Sequence, residues 1–464
     1  MNSPVTTESA RVELKRDLGL WGAAAIVVGT VIGSGIFLVP RTMIQRVGSP
    51  EMVFVVWVAG GLLSLAGALT YAELAAALPE AGGEYVYLRE AYGPVWGFLY
   101  SWTQMWVAKS GSIATLATGF FYYLTNFLPQ LNGILLVVPL PIGAHGMPLE
   151  IRYGQIFAMA LILFLAGVNY FGVKVGGEVQ IFVTIVKVAL ILFIIAAGLG
   201  WGHRATETAA AGTTTPLSLA GFFAAMVAAL WAYDGWNNVS MVASEIRKPQ
   251  RNLPLALIWG TLSVAIIYLL ANAAYFYVLS PAEVARSNRV AAEMMRRILG
   301  DSGASIVSVA AMISIFAALN GSILSGSRVP YAAARDGLFF RSIARVHPQF
   351  HTPGISILAM SAWAAVLVLS GSYDQLFTYV IFASWLLYGM TTAAVIVLRR
   401  KRPELVRPYL TLGYPVVPVL FVLSALCLVI STLFDSPRES LMGLALILVG
   451  LPFYFHWQKQ RHSS

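Results

Sequence analysis

The chain reads as an all-α integral membrane protein of about twelve transmembrane helices, and three observations carry that reading. Hydrophobic residues make up 58% of the 464 residues and charged residues only 11%, with a mean hydropathy of +0.74. A globule facing water carries roughly 25% charged residues, so most of this surface must face lipid. Apolar runs recur along the whole length, each near the ~20 residues that a bilayer-spanning helix requires. Lys and Arg are distributed unevenly about those runs. A signal peptide is too short to move the average of the whole chain. The single Cys427 leaves no intrachain disulfide, which excludes an oxidatively stapled fold. The formal charge of +9 is scattered between apolar runs rather than clustered, against a nucleic-acid surface.

The runs lie near 19–44, 51–78, 94–126, 151–170, 177–199, 217–243, 253–279, 303–335, 354–370, 373–398, 414–433 and 440–458. The third and eighth are long enough to tilt or to project beyond the bilayer. Connections of about twenty residues at most can hold only short helices, so no soluble domain is expected. Placing Arg11, Lys15 and Arg16 inside also puts Arg89, Lys174, Arg247, Lys248, Arg251, Arg335, Arg341, Arg345, Arg399–Arg402 and Arg407 inside, with Lys459 and Arg461. The opposite side keeps Arg41, Arg46, Arg152, Arg204, Arg286, Arg289, Arg296, Arg297 and Arg438. That roughly two-to-one excess is the direction the positive-inside rule requires. The plan is therefore a cytoplasmic segment 1–18, five spans over 19–199, five over 217–398, two more over 414–458, and a cytoplasmic tail 459–464.

Two runs carry interruptions. In the first, Gly29 to Phe37 reads GTVIGSGIF, with Gly33 and Gly35 flanking Ser34. Glycine costs about 1 kcal/mol in a helix interior, and read alone the pattern is also a small-residue packing face from Gly29 to Gly33. In the sixth, Leu230 to Asn238 reads LWAYDGWNN and places Asp234 near mid-membrane, where a carboxylate must face protein or water. The two breaks occupy corresponding positions if spans 1–5 and 6–10 are inverted repeats, and that pairing is the sequence signature of a transporter substrate site. A half-helix starting after Gly33, Ser34 and Gly35 offers free N–H groups to a carboxylate. Unwound carbonyls around Trp231, Ala232 and Asp234 can accept from an ammonium. Together they suit a zwitterionic α-amino acid.

These segments resemble the amino acid–polyamine–organocation (APC) superfamily. Leu78 to Tyr85 (LPEAGGEY) with Glu90 to Gly93 (EAYG) looks like its first cytoplasmic loop. Trp231 to Asn237 with Glu245 to Pro254 (EIRKPQRNLP) is similar to its L-type amino-acid transporter (LAT) branch, as are Leu319 to Ser322, Ala334 to Gly337 and Arg402 to Pro408. The resemblance implies the LeuT-type 5+5 inverted-repeat fold plus two C-terminal helices, with helices 1 and 6 discontinuous, and sodium-independent alternating access, usually as exchange. Carried over, Ile32, Gly33, Ser34 and Gly35 would contact the substrate carboxylate. Trp231, Ala232 and Asp234 would supply backbone acceptors, and the Trp231 ring would gate the site from outside. Animal members hold a glycoprotein heavy chain through a Cys between spans three and four. Phe127 to Arg152 has none, so a bacterial stand-alone member without a disulfide-linked partner is expected.

Lys187 lies about midway along the fifth span, too deep to snorkel. The LAT branch has a Lys there where sodium-coupled relatives bind their ion, so Lys187 is expected to replace sodium, bridging span-one carbonyls to span-eight groups such as Asn320 or Ser322. Lys109 either lines the vestibule, pairs with Asp234, or sits at a helix break before Gly111; lining the side-chain pocket, it would disfavour cationic substrates. Asn320 and Ser322 also fit plain interhelical hydrogen bonding. Trp236, Tyr379, Trp385 and Tyr388 are candidates for the pathway wall. GxSxG, Walker, HExxH and CxxC motifs are missing from the sequence, so no enzyme, metal or cofactor is expected. Pro348 between His347 and His351 disfavours a helical metal pair. The expectation is a plasma-membrane carrier of small neutral amino acids. A cationic amino acid or polyamine carrier and a non-transporting sensor or channel are the alternatives.

Overall fold

A computed structural model describes residues 13–139, 148–205, 218–370, 373–435 and 437–462. The first twelve residues of the expected cytoplasmic segment, Ser463 and Ser464, and the Tyr379 side chain lie outside the described residues. In chain order the helices are α1 (Leu20–Val31), α2 (Gly35–Val47), α3 (Pro50–Ala77), α4 (Glu84–Tyr92), α5 (Pro94–Thr103) and α6 (Lys109–Leu124). A single π-helical turn, Gln104–Ala108, joins α5 to α6. Then follow α7 (Tyr153–Tyr170), α8 (Val173–Trp201), α9 (Leu219–Tyr233), α10 (Asn238–Met241), α11 (Pro249–Val278), α12 (Pro281–Arg286) and α13 (Val290–Gly326). The last are α14 (Arg328–Arg335), α15 (Gly354–Ser370), α16 (Tyr373–Lys401), α17 (Val416–Asp435), α18 (Pro437–Leu448) and α19 (Gly450–His462).

Among the described residues eight helical segments, two of them spanning a pair of these helices (α13 with α14, α18 with α19), are long and apolar enough to cross a bilayer, and α1 with α2, bent by 40° about a short break, makes a ninth. The continuous α5–α6 rod, the broken α9–α10 pair and α15 correspond to the third, sixth and ninth runs. The chain is thus an all-α membrane protein of about twelve spans. Outward-facing Phe182, Ile185, Trp259 and Phe434 are well exposed, as a lipid-facing surface requires.

One connection departs from expectation. Between α6 and α7 the chain forms an antiparallel hairpin, β1 (Ile134–Pro139) with β2 (Pro148–Arg152), pairing Val137 with Glu150, where only short helices were expected. The run Ile134 to Val138 (ILLVV) is rich in strand formers; Pro139 ends the first strand and Pro148, paired with it, begins the second.

The eighth run starts close to where it was read, and α13 also takes in a short helix of the preceding connection. Gly300, at φ +63°, kinks α13 between that short helix and the apolar segment. Only glycine takes that conformation without strain.

Candidate functional site

The two breaks meet. Helix α1 ends where Ile32 turns extended (ψ 90°), and α2 starts at Gly35. Helix α9 ends where Asp234 turns extended (ψ 144°), and the chain resumes as α10. Gly235, at φ +105°, makes that turn possible. A Cβ on Gly35 would lie 2.6 Å from both Cα and Cβ of Ala232, so only glycine lets the two backbones approach this closely. Gly33 faces ordinary contacts, whereas a Cβ on Gly29 would fall 2.0 Å from Gln180 Nε2. The packing role read for this stretch therefore belongs to Gly29, against α8, and the close crossing of breaks belongs to Gly35.

At the crossing lies a cavity of about 20 Å³, room for about one water. Gly33, Ser34, Gly35, Trp231, Ala232 and Asp234 all line it, as does Ser322. Ile32 does not; it is fully buried behind the break. Sequence reasoning missed Thr30, Val31, Ser112, Leu116, Gly235 and Asn238, which complete the lining. Ser112 carries no distinguishing pattern in an apolar helix, and only the crossing of α6 brings it here.

Protein donors already reach the carbonyls freed by the breaks. Asp234 N–H donates to Trp231 O at 3.1 Å. The Tyr268 hydroxyl, from α11, lies 2.8 Å from Ala232 O and 3.0 Å from Val31 O and so joins both breaks. Thr30 Oγ1 donates to Gly235 O at 2.8 Å. A carbonyl has two lone pairs, so a ligand ammonium can join these donors. Nothing in the pattern of α11 distinguishes Tyr268 from a packing aromatic, which is why it was missed. Tyr388 donates to Asp234 Oδ1 at 2.8 Å. Trp236 and Trp385 instead form a packed cluster with Tyr71, Tyr388 and Phe421.

Lys187 is fully buried, and its Nζ donates to Gly29 O and Ile32 O, both at 2.6 Å. The α13 group that converges there is Ser314, whose hydroxyl is 2.9 Å from Ile32 O, rather than the expected Asn320 or Ser322. Asn320 lies two turns further along, in a chain of amides. Asn169 Nδ2 donates to it at 2.8 Å, and its own Nδ2 donates to Gln180 Oε1 at 2.8 Å. Six residues of helix separate Ser314 from Asn320, about 9 Å, which puts the amide out of the ammonium's reach.

Lys109 follows the π-helical turn, as the suspected break before Gly111 suggests. It does not form an ion pair with Asp234 among the described residues. Its Nζ donates to Asn238 Oδ1 at 2.6 Å, so it reaches the cavity wall through Asn238 and is not itself part of the lining. Next door, Asn237 Nδ2 donates to the buried Glu84. The segment after the second break is thereby held from α6 and from α4.

At that end of the bundle the extended N-terminal segment crosses the chain after α10. Leu18 N–H donates to Glu245 O, and Arg247 N–H returns to Leu18 O at 2.8 Å. Glu245 and Arg328 form a fully buried bidentate pair at 2.8 and 2.9 Å. His347 stacks on Phe350, and among the described residues no group of three metal-ligating side chains occurs.

Comparison with known proteins identifies the family. The amino acid permease family model matches residues 18–451. The chain is 34% identical to the serine/threonine exchanger SteT of Bacillus subtilis (strain 168) over 453 residues, 97% of this chain and 98% of that one. It is 33% identical to the mouse b(0,+)-type amino acid transporter 1, covering 97% and 89%. To the human cystine/glutamate transporter it is 29% identical, covering 96% and 86%. The chain therefore belongs to the amino acid permease family, in the LAT branch of the APC superfamily, and is a membrane transporter of amino acids rather than an enzyme.

Proposed function

We propose that this protein is a sodium-independent secondary transporter that exchanges small neutral L-amino acids by alternating access. The crossing of the two breaks at Gly35 and Ala232 carries this reading. On one side stands the N-terminal end of α2, whose first N–H groups lack intrahelical acceptors and suit a carboxylate. On the other stand the carbonyls that end α1 and α9, which suit an ammonium. Ile32, Gly33, Ser34 and Gly35 form the carboxylate side; Ile32 acts from behind by presenting its carbonyl to Lys187. Trp231 gates the cavity, and its neighbours must move, because about 20 Å³ holds no amino acid. Lys187 serves as the fixed cation in place of sodium, since its ammonium sits on break carbonyls as a bound ion would.

Small substrates are favoured by the narrow cavity and its hydroxyls, Ser112 and Ser322, and the serine/threonine exchanger among the relatives supports both size and exchange. Asp234 at the cavity wall favours one rival, a carrier of cationic amino acids; Lys109 behind Asn238 opposes it. In this plan 19–199 and 217–398 are inverted repeats, 414–458 adds two helices, and both 1–18 and 459–464 face the cytoplasm of a plasma membrane, as the basic connections support. The chain works without a disulfide-linked heavy chain, since Phe127 to Arg152 contains no Cys.

The test is uptake into proteoliposomes preloaded with single amino acids, with and without sodium or a proton gradient. Saturable, trans-stimulated uptake of serine, threonine or alanine that ignores sodium is expected. Non-saturating flux would identify a channel, binding without flux a sensor, and preferred uptake of lysine or polyamines the cationic rival.

A further inference from the structure

At the end of the bundle away from the N-terminal segment, the connection from α11 to α13 lines a second, open cavity of about 430 Å³, far roomier than the one at the breaks. Its charged lining is Arg286, Arg289, Arg296, Glu283 and Glu293, and Ser308 of α13 also lines it. Some of these charges are matched. Glu283 pairs with Arg297, and Arg296 with Glu293 at 2.7 Å. Arg289 instead donates to neutral acceptors, Asn126 Oδ1 at 3.1 Å and the Tyr122 carbonyl at 2.9 Å. Arg286 is exposed and, among the described residues, forms no ion pair. Two guanidiniums without a carboxylate thus face one cavity. Beside them, Glu293 engages Arg296 through Oε2, which leaves Oε1 as an acceptor.

We propose that this cavity is a holding site for a zwitterionic amino acid on its path to the breaks. Arg286, with Arg289, takes the carboxylate, for which the planar guanidinium is the matched donor. Glu293 takes the ammonium. Two features link the site to the transport path. Ser308 stands six residues above Ser314 on one helix, about 9 Å, and Ser314 donates to the break carbonyl of Ile32. The connection, a cap over this cavity formed by residues 279–299, is also tied to α2, by Gln45 Nε2 to Ala285 O at 2.6 Å and by Arg41 to Asn288. A ligand on the cap therefore sits on the element fastened to the half-helix whose other end begins the carboxylate site.

This inference rests on amino-acid transport with the cap outside. In oriented proteoliposomes, the KM of the preferred neutral amino acid is measured from each face. Arg286→Gln is expected to raise the ratio of outside to inside KM by about three- to tenfold, the loss of one hydrogen bond at a solvent-exposed guanidinium, and Arg286→Lys to restore most of it. Glu293→Gln is expected to weaken the amino acid from outside without weakening inhibition by the corresponding carboxylic acid lacking the amino group. An unchanged ratio in Arg286→Gln, or equal shifts on both faces, would overturn the holding site. A wild-type protein that moves no amino acid would instead sink the transport reading itself.

Discussion

Replacing Lys187 by methionine keeps most of the side-chain volume and removes the ammonium. Two buried carbonyls lose a charged donor at 2.6 Å. Ile32 O keeps the Ser314 hydroxyl at 2.9 Å. Gly29 O lies at the end of α1, where the break at Ile32 removes its usual helical partner. One orphaned buried carbonyl costs about 1–3 kcal/mol. At 1.4 kcal/mol per factor of ten, that depletes the folded arrangement of the break by roughly five- to 150-fold. Exchange in proteoliposomes should fall by a similar factor while the purified protein stays monodisperse in detergent. Lys187→Ala should behave alike. Either variant exchanging at the wild-type rate would refute the fixed-cation role, whatever its effect on stability.

Other substitutions separate neighbouring roles. Gly35→Ala places a methyl 2.6 Å from the Ala232 backbone; overpacking of about 1–3 kcal/mol should abolish uptake, whereas Gly33→Ala, with ordinary contacts at 3.4 Å or more, should retain a measurable rate. Lys109→Gln leaves Asp234 as the charge nearest the cavity, so lysine and arginine should inhibit serine uptake several-fold more strongly; unchanged inhibition would remove Lys109 from selectivity. Tyr388→Phe deprives Asp234 of its 2.8 Å donor and should raise KM, with thermal stability in detergent as the control for a general packing loss. Glu245→Ala strands the fully buried Arg328 and should destabilise the protein by about 3–5 kcal/mol, read as a large loss of melting temperature in detergent.

How the site was legible differs residue by residue. Gly33, Ser34 and Gly35 were readable because glycine and serine inside an apolar run contradict a helix, and Asp234 because a carboxylate cannot face lipid. Lys187 stood out by the same argument. Asn320 fits two roles by type, partner of the lysine or interhelical hydrogen bonding, and helical phase and rise carry it to the second, towards Asn169 and Gln180. Tyr268, Ser314 and Ser112 are ordinary residues for membrane helices, and no local pattern separates a tyrosine that joins two breaks from one that packs. The hairpin over 134–139 and 148–152 was missed because a short apolar run reads equally as helix or strand.

The amino acids by themselves determined class, span count and the two interruptions, since hydropathy and backbone cost are local quantities summed along the chain. Which oxygens face the ammonium of Lys187, which hydroxyls close the cavity, and that Gly35 rather than Gly33 needs its missing Cβ were decided only when α1, α8, α9, α11 and α13 came together. Such contacts depend on the crossing of helices hundreds of residues apart, and hydrogen bonding across that distance leaves no periodic trace in either partner.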